Sequence, residues 1–291
     1  AVFARCSQRC AATGSSPGTG FSGRVGVFKQ QGGQEAHGVW AGARQYIGPM
    51  LAARHALLAS LPATCQVCAA WPTQPVCEAC MQRFAAPRFR CQACAAVLPG
   101  DLDLCGACQT SPHALHLTPC LAAVDYAYPW DRLIARFKFR GEIGWAGVFA
   151  RLMARAPGAR ALLDAAELVA PVPLTARRVA ERGHHPPWEL IKALRTLTPL
   201  PAQPDLLMRL AEVPDQHSLP RVRRLHNLQG VFAVHPSHTA GLRGRRVLLV
   251  DDVTTTGATL QTAAQALRHA GASRVDALVL ARTPGAHEPP L

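Results

Sequence analysis

The chain contains no run of about 18 apolar residues, so no membrane-spanning helix is expected. No charged segment leads into a short apolar stretch at its start, so no secretory signal is visible and a cytoplasmic location is expected. Aromatic residues make up only 6% of the chain, while alanine, arginine and proline abound. That bias fits a GC-rich coding sequence better than a special function. Acidic residues are also scarce, 18 against 31 lysines and arginines, for a formal net charge of +13. A basic balance favours polyanionic partners such as nucleic acid, nucleotides or polyphosphates, but it does not locate a site.

The first 60 or so residues begin at Ala1 rather than Met and are rich in Gly, Ser and Gln without a sustained period. Residues 1–60 therefore read as a flexible extension. Cys6 and Cys10 within it have a poor metal spacing. Eight of the eleven cysteines fall instead into four Cys-x-x-Cys pairs: Cys65/Cys68, Cys77/Cys80, Cys91/Cys94 and Cys105/Cys108. With no export signal, such pairs read as metal ligands rather than disulfides. Residues 61–112 thus form a zinc-binding module, with eight thiolates suiting two tetrahedral zinc ions. Sequential pairing is the simplest arrangement, and a cross-braced one is compatible with the same spacing. Unmetallated or redox-active cysteines are the competing reading. The segment is short and poor in large apolar residues, so metal would substitute for a core. A site of four cysteines leaves no open position, which points to a structural or docking role rather than catalysis. Cys120 stands alone and reads as a core thiol.

Residues 120–291 have the pattern of an α/β domain. "LVAPVPL" (168–174) reads as a strand ending in a proline-rich turn, and "RRVLLVDDV" as a buried strand with a polar tip. "TGATLQTAAQALRHAGA" has helical spacing at Leu260, Ala263, Ala264 and Leu267, with Gly271 placed to cap it. "SRVDALVLAR" is a further strand. Strand, helix and strand at this spacing make a βαβ unit, and a succession of them makes a parallel sheet flanked by helices.

Asp251 and Asp252 would lie at the carboxyl end of their strand, where open α/β sheets bind ligands. The residues from Thr254 to Thr259 would enter the next helix. Amide groups at a helix start bind phosphate, Gly257 permits close approach, and threonine hydroxyls add donors. A sugar phosphate satisfies both ends of this arrangement, and Mg²⁺ on sugar and pyrophosphate oxygens would reconcile the paired carboxylates. The loop lacks the Gly-Lys-Ser/Thr of nucleotide-binding P-loops and the glycine spacing of dinucleotide-binding folds. An acidic strand end capping a helix is the bland alternative.

"VLLVDDVTTTGAT" resembles the phosphoribosyl-pyrophosphate (PRPP) loop of type I phosphoribosyltransferases. The wider chain, from about Cys65 to Arg282, is similar to the ComF family, which joins an N-terminal double zinc ribbon to such a domain. The stretches that carry this likeness are "FKFRGE" (137–142), "APVPLTARRVAERG" (170–183) and "QHSLPRVRRLHNLQGVFAV" (216–234). The resemblance implies that Asp251 and Asp252 hold ribose hydroxyls and act in catalysis. It implies PRPP binding by Val253, Thr254, Thr255, Thr256, Gly257, Ala258 and Thr259. It implies a pyrophosphate loop around Val172 and Pro173, assisted by Arg177, Arg178 and Arg182, for which a solvated basic helix face is the alternative. It places Arg221, Arg223 and Arg224 in a mobile loop closing over PRPP, where a plain surface loop competes. If "FKFRGE" is extended, Phe137 and Phe139 point one way and Lys138 and Arg140 the other, toward phosphate, nucleic acid or solvent.

One departure stands out. Family members commonly carry Arg-Gly-Phe-Asn-Gln where this chain has Arg182, Gly183, His184, His185 and Pro186. The histidines are open to metal or phosphate binding, or to tolerated drift, and any role resting on Asn-Gln is in question. Two functions follow from the likeness. One is PRPP–Mg²⁺ binding with transfer of phosphoribose to an unnamed acceptor. The other is a non-catalytic role in natural competence, handling single-stranded DNA or docking a helicase partner.

Overall fold

The computed structural model describes residues 62–110, 117, 119–210 and 230–285. The chain divides after Leu61, and the description below concerns the unit Pro62–Leu291. The expected extension with Cys6 and Cys10, and the loop arginines Arg221, Arg223 and Arg224, lie outside the described residues.

Two short helices open the unit, α1 (Glu78–Phe84) and α2 (Gly106–Gln109). The α/β part follows in the order β1 (Cys120–Asp125), α3 (Trp130–Phe139), α4 (Ala146–Ala154), α5 (Ala159–Ala165), β2 (Leu168–Pro171), α6 (Ala176–Arg182) and α7 (Pro186–Leu194). It continues with β3 (Leu207–Arg209), β4 (Phe232–Val234), α8 (Thr239–Leu242), β5 (Arg246–Thr254), α9 (Ala258–His269) and β6 (Arg274–Arg282). β1, β6, β5 and β2 form one sheet in that order, with every neighbour parallel. β3 and β4 make a separate antiparallel pair.

The apolar runs of β5 and β6 are buried on both faces, as the strands of a covered parallel sheet must be. Their alternation divides the core. Leu248, Val250, Leu278 and Leu280 pack with Trp130, Ile134, Phe137, Phe149 and Ile191 from α3, α4 and α7. Val247, Leu249, Ala277 and Val279 pack instead with Leu260, Ala264 and Leu267 of α9 and with Leu207 and Phe232 of the β3–β4 pair. The period of two along a strand makes these opposite faces of the sheet. The cysteine-rich segment contributes to both layers. Cys65, Val76, Cys80 and Met81 join the first, and Ala95 joins the second.

One expectation is overturned. "FKFRGE" is not extended: Phe137, Lys138 and Phe139 are the last residues of helix α3. Trp130, Leu133, Ile134 and Phe137 recur at helical spacing and are all buried. That stripe outweighs the local alternation of aromatics and cations. Gly141, at φ 67°, turns the chain away.

Candidate functional site

The two aspartates are the sixth and seventh of the nine residues of β5, an inner strand of the sheet. Val172 N donates to Val250 O at 2.9 Å, so the loop after β2 runs beside the strand tip that carries them. Gly257, at φ 78°, lets the chain turn from β5 into α9, a backbone state that glycine adopts without steric cost. Thr256 Oγ1 accepts from Ala258 N at 3.4 Å across that turn.

Adjacent strand residues face opposite ways. Asp252 faces the α3 layer, where Lys138 Nζ donates to its Oδ1 at 3.0 Å. Val253 N donates to the same oxygen at 2.6 Å. Oδ2 of Asp252 is buried and has no partner. Asp251 Oδ1 accepts from Asp252 N at 2.9 Å. Burial, and then the charge of Asp252, push the Asp251 carboxyl up to about 8, against a smaller opposing pull from Lys138. Lys138 approaches the pair from the Asp252 side.

The basic candidates are spread along α6. Arg177 is exposed and lies 3.5 Å from Glu181. Arg178 N donates to the Thr175 cap. The Arg182 guanidinium stands 5.1 Å from the ring centre of Phe139, an exposed aromatic at the end of α3. Val172 is buried in the core, with Pro173 half-buried after it.

The departure at 184–186 has a structural account. His185 is the N-cap of α7, and its Nδ1 accepts from Trp188 N at 3.2 Å. Asparagine is also among the preferred caps, so the helix start tolerates His185 at this position, and Pro186 is favoured at the first helical position. Burial lowers the His185 basicity, which keeps a ring nitrogen available as acceptor. The His184 ring nitrogens lie 2.9 Å from Arg182 O and from Phe137 O. It ties the end of α6 to the turn of α3 that carries Lys138. Both histidines are engaged with backbone groups.

The eight cysteines form two sets in sequential order, Cys65, Cys68, Cys77 and Cys80, then Cys91, Cys94, Cys105 and Cys108, each with its sulfurs within 4.8 Å of one another. Four sulfurs about 2.3 Å from a tetrahedral ion lie about 3.8 Å apart. Cys65–Cys80, Cys68–Cys77 and Cys94–Cys105 measure 3.9, 3.6 and 3.8 Å. The thiols of each set shift in opposite directions: burial raises Cys80 and hydrogen bonding with Cys108 raises Cys94, while Cys65 and Cys91 are lowered. Burial raises the Cys65 thiol, but amides led by that of Cys77 outweigh it and leave it lowered to about 6. Hydrogen bonds from Cys108 and Cys94 draw Cys91 below its ordinary range. The sets suit metal ions on distance and on donor chemistry. Cys120 is a fully buried core thiol.

Sequence reasoning missed three groups that frame the site. Lys138 was read as a solvent or phosphate contact and instead pairs with Asp252. Gln261 Nε2 donates to Ala93 O at 2.9 Å, and Arg282 Nε to Cys94 O at 3.0 Å. No local signal could have revealed bonds that span most of the domain. A cavity of about 510 Å³ opens elsewhere, between Met81, Phe89, Ala123 and Leu152, and its lining includes neither aspartate. No helix among the described residues is long and apolar enough to cross a membrane.

Residues 210–291, which include β4, β5, α9 and β6, match the family model of the phosphoribosyl transferase domain. The wider kinship is with competence and DNA-utilization proteins. Over 210 residues the chain is 28% identical to Competence protein F of Haemophilus influenzae, covering 71% of this chain and 90% of that protein. Over 215 residues it is 27% identical to the DNA utilization protein YhgH of Escherichia coli K12, covering 72% and 90%. Against the Salmonella typhimurium protein of that name the identity is 29% over 214 residues, with 66% and 90% covered. The chain is thus similar to these proteins over about 210 residues, and its residues 210–291 match the phosphoribosyl transferase domain. A solved structure titled as the allosteric regulatory enzyme of purine biosynthesis matches at 20% identity with a TM-score of 0.28. That match covers 46% of this chain and 25% of the other, and is too distant to bear on function.

Proposed function

We propose that this chain binds PRPP–Mg²⁺ at the tip of β5 and transfers phosphoribose with release of pyrophosphate. The observation that carries the reading is Asp252 Oδ2, a buried carboxylate oxygen without a partner. An unsatisfied buried acceptor costs stability unless something donates to it, and a ribose hydroxyl is such a donor. Asp251, whose Oδ1 accepts from Asp252 N at 2.9 Å, is the second carboxylate for the ribose hydroxyls. Val253 to Thr259 offer amides and hydroxyls at the start of α9 for the 5′-phosphate. The loop at Val172 and Pro173 lies beside the strand tip, where pyrophosphate would depart. Arg177, Arg178 and Arg182 on α6, with Arg221 and Arg224, supply positive charge for it. In the reaction the bond from the anomeric carbon to pyrophosphate breaks and a bond to the acceptor forms, the acceptor losing its proton to water or base. Asp251 and Asp252 would lie beside magnesium bound together with PRPP, which would supply charge neutralisation there. The two cysteine sets hold structural zinc.

The relatives' names, Competence protein F and DNA utilization protein, support a setting in DNA uptake and natural transformation. A non-catalytic reading within that setting, contact with single-stranded DNA or a helicase partner, draws on one observation. Arg182 covers Phe139 at 5.1 Å and Arg132 covers Tyr128 at 5.4 Å, with the rings 64% and 48% exposed. Exposed rings beside cations suit base stacking and backbone contact.

Calorimetric titration with PRPP and Mg²⁺ tests the first reading. Asp252→Asn should weaken binding by about tenfold or more, the worth of one charge-assisted hydrogen bond. Equal affinity in the wild type and the variant would sink it. Single-stranded DNA binding unaffected by salt would argue against the second.

A further inference from the structure

In the reading above, the bare Cα of Gly257 admits a phosphate. In the structure it admits protein. A Cβ placed there would lie 3.2 Å from Cys94 Cβ, 3.4 Å from Cys94 Cα and 3.7 Å from Ala93 O. The turn between Cys91 and Cys94 therefore sits against the glycine of the β5–α9 loop. One helical turn on, Gln261 is 2% exposed and donates to Ala93 O. Arg282, the register partner of Thr254 across β5 and β6, donates to Cys94 O. Cys120 N, at the start of β1, donates to Gln92 O. Three successive carbonyls of this turn are thus bonded to β1, α9 and β6. Ala95 is fully buried in the layer that includes Ala258, Leu260 and Leu267. The shape of the turn depends on Cys91 and Cys94 being gathered with Cys105 and Cys108.

The first set is attached elsewhere. Trp130 Nε1 donates to Phe84 O at 2.7 Å, and Arg155 meets Glu78 at 3.1 Å, both bonds linking α1 to α3 and α4. Among the described contacts, those that reach the β5–α9 loop come from the second set.

We infer that the ion held by Cys91, Cys94, Cys105 and Cys108 positions the loop from Thr254 to Thr259, so that metal occupancy of this set and ligand binding at the loop are coupled. The ligand half of this statement rests on the phosphoribosyl reading. The metal half does not. Coupling is reciprocal: a ligand that fixes the loop must also hold the ion more tightly. Groups bonded to the backbone of a ligand turn act as an outer shell, and their loss weakens metal binding about 10- to 100-fold.

The test follows zinc release from the full zinc-loaded chain into a chromogenic chelator. Gly257→Ala should speed release of one of the two ions about tenfold and leave the other at the wild-type rate. Gln261→Met, which adds no backbone strain, should act in the same direction and covers the case in which Gly257→Ala fails to fold. In a Cys68→Ser background, which removes the first ion, the accelerated phase must persist. Hydrogen exchange at residues 255–262 should rise when the second ion is stripped and stay unchanged when only the first is lost. Wild-type release of both ions from both variants overturns the inference. PRPP–Mg²⁺ should slow release from the second set. If PRPP does not bind at all while Gln261→Met still speeds release, the phosphoribosyl reading fails and the metal–loop coupling stands. If PRPP binds but changes neither release rate, the coupling is refuted.

Discussion

Replacing Lys138 by methionine deletes one ammonium group and keeps most of the side-chain stem. In the intact protein that ammonium lies 3.0 Å from Asp252 Oδ1, with the two side chains 14% and 7% exposed. Removing one partner of such a pair strands the other charge, at a cost of about 3–5 kcal/mol. Asp252 can escape by taking up a proton. Measured against the unfolded chain, where an aspartate titrates near 3.9, holding a proton at pH 7 costs about 4 kcal/mol at about 1.4 kcal/mol per unit. The bond from Val253 N to Oδ1 survives and trims the loss. The expected destabilisation is therefore about 3 kcal/mol at pH 7, shrinking to about 1.5 kcal/mol at pH 5, where protonation is easier. Urea unfolding of wild type and variant at both pH values measures it. The double variant Lys138→Met/Asp252→Asn, with no charge to strand, should regain most of the loss. A loss equal at both pH values, or below about 0.5 kcal/mol at pH 7, would refute the claim that Lys138 is the counter-charge of a buried carboxylate.

Two further outcomes follow from the same structure. Burial and the charge of Asp252 push the Asp251 carboxyl up to about 8 in the folded state, whereas in the unfolded chain it titrates near 3.9. Between those values the folded protein holds a proton that the unfolded chain has released, so this group makes stability fall as pH rises from about 4 to about 8. Asp251→Asn should flatten that fall and melt higher than wild type at pH 8; an unchanged slope of melting temperature against pH would count against the buried, protonated carboxyl. At the other end of the domain, Trp130→Phe removes the bond to Phe84 O and should cost about 1–3 kcal/mol in urea unfolding. A loss within experimental error would mean that α1 is held by packing alone.

Some elements were legible because their signals are local. The βαβ unit from Arg246 to Arg282 announces itself by two apolar runs around a helical stripe, and the structure has those elements. "FKFRGE" was misread for a physical reason. Alternation over four residues fits a strand, while the helical stripe that decides the matter needs the longer window from Trp130 to Phe137. For the histidines at 184 and 185 both ligand binding and tolerated drift stayed open, because residue type alone does not show a cap. Their ring nitrogens turn out to face backbone groups.

What the chain's own order of residues determined is every feature set by near neighbours: the paired cysteines, their sequential grouping as the simplest choice, the acidic strand tip and the glycine before the last long helix. Such features depend on spacing of a few residues, and backbone geometry converts that spacing directly into position. Only the tertiary structure decided that Lys138 faces Asp252, that Asp251 lies buried enough to keep its proton, and that Gly257 rests against Cys94. Those contacts join residues more than 100 positions apart. They exist because the sheet's two faces must each be covered, and no short-range pattern records which segment covers which face.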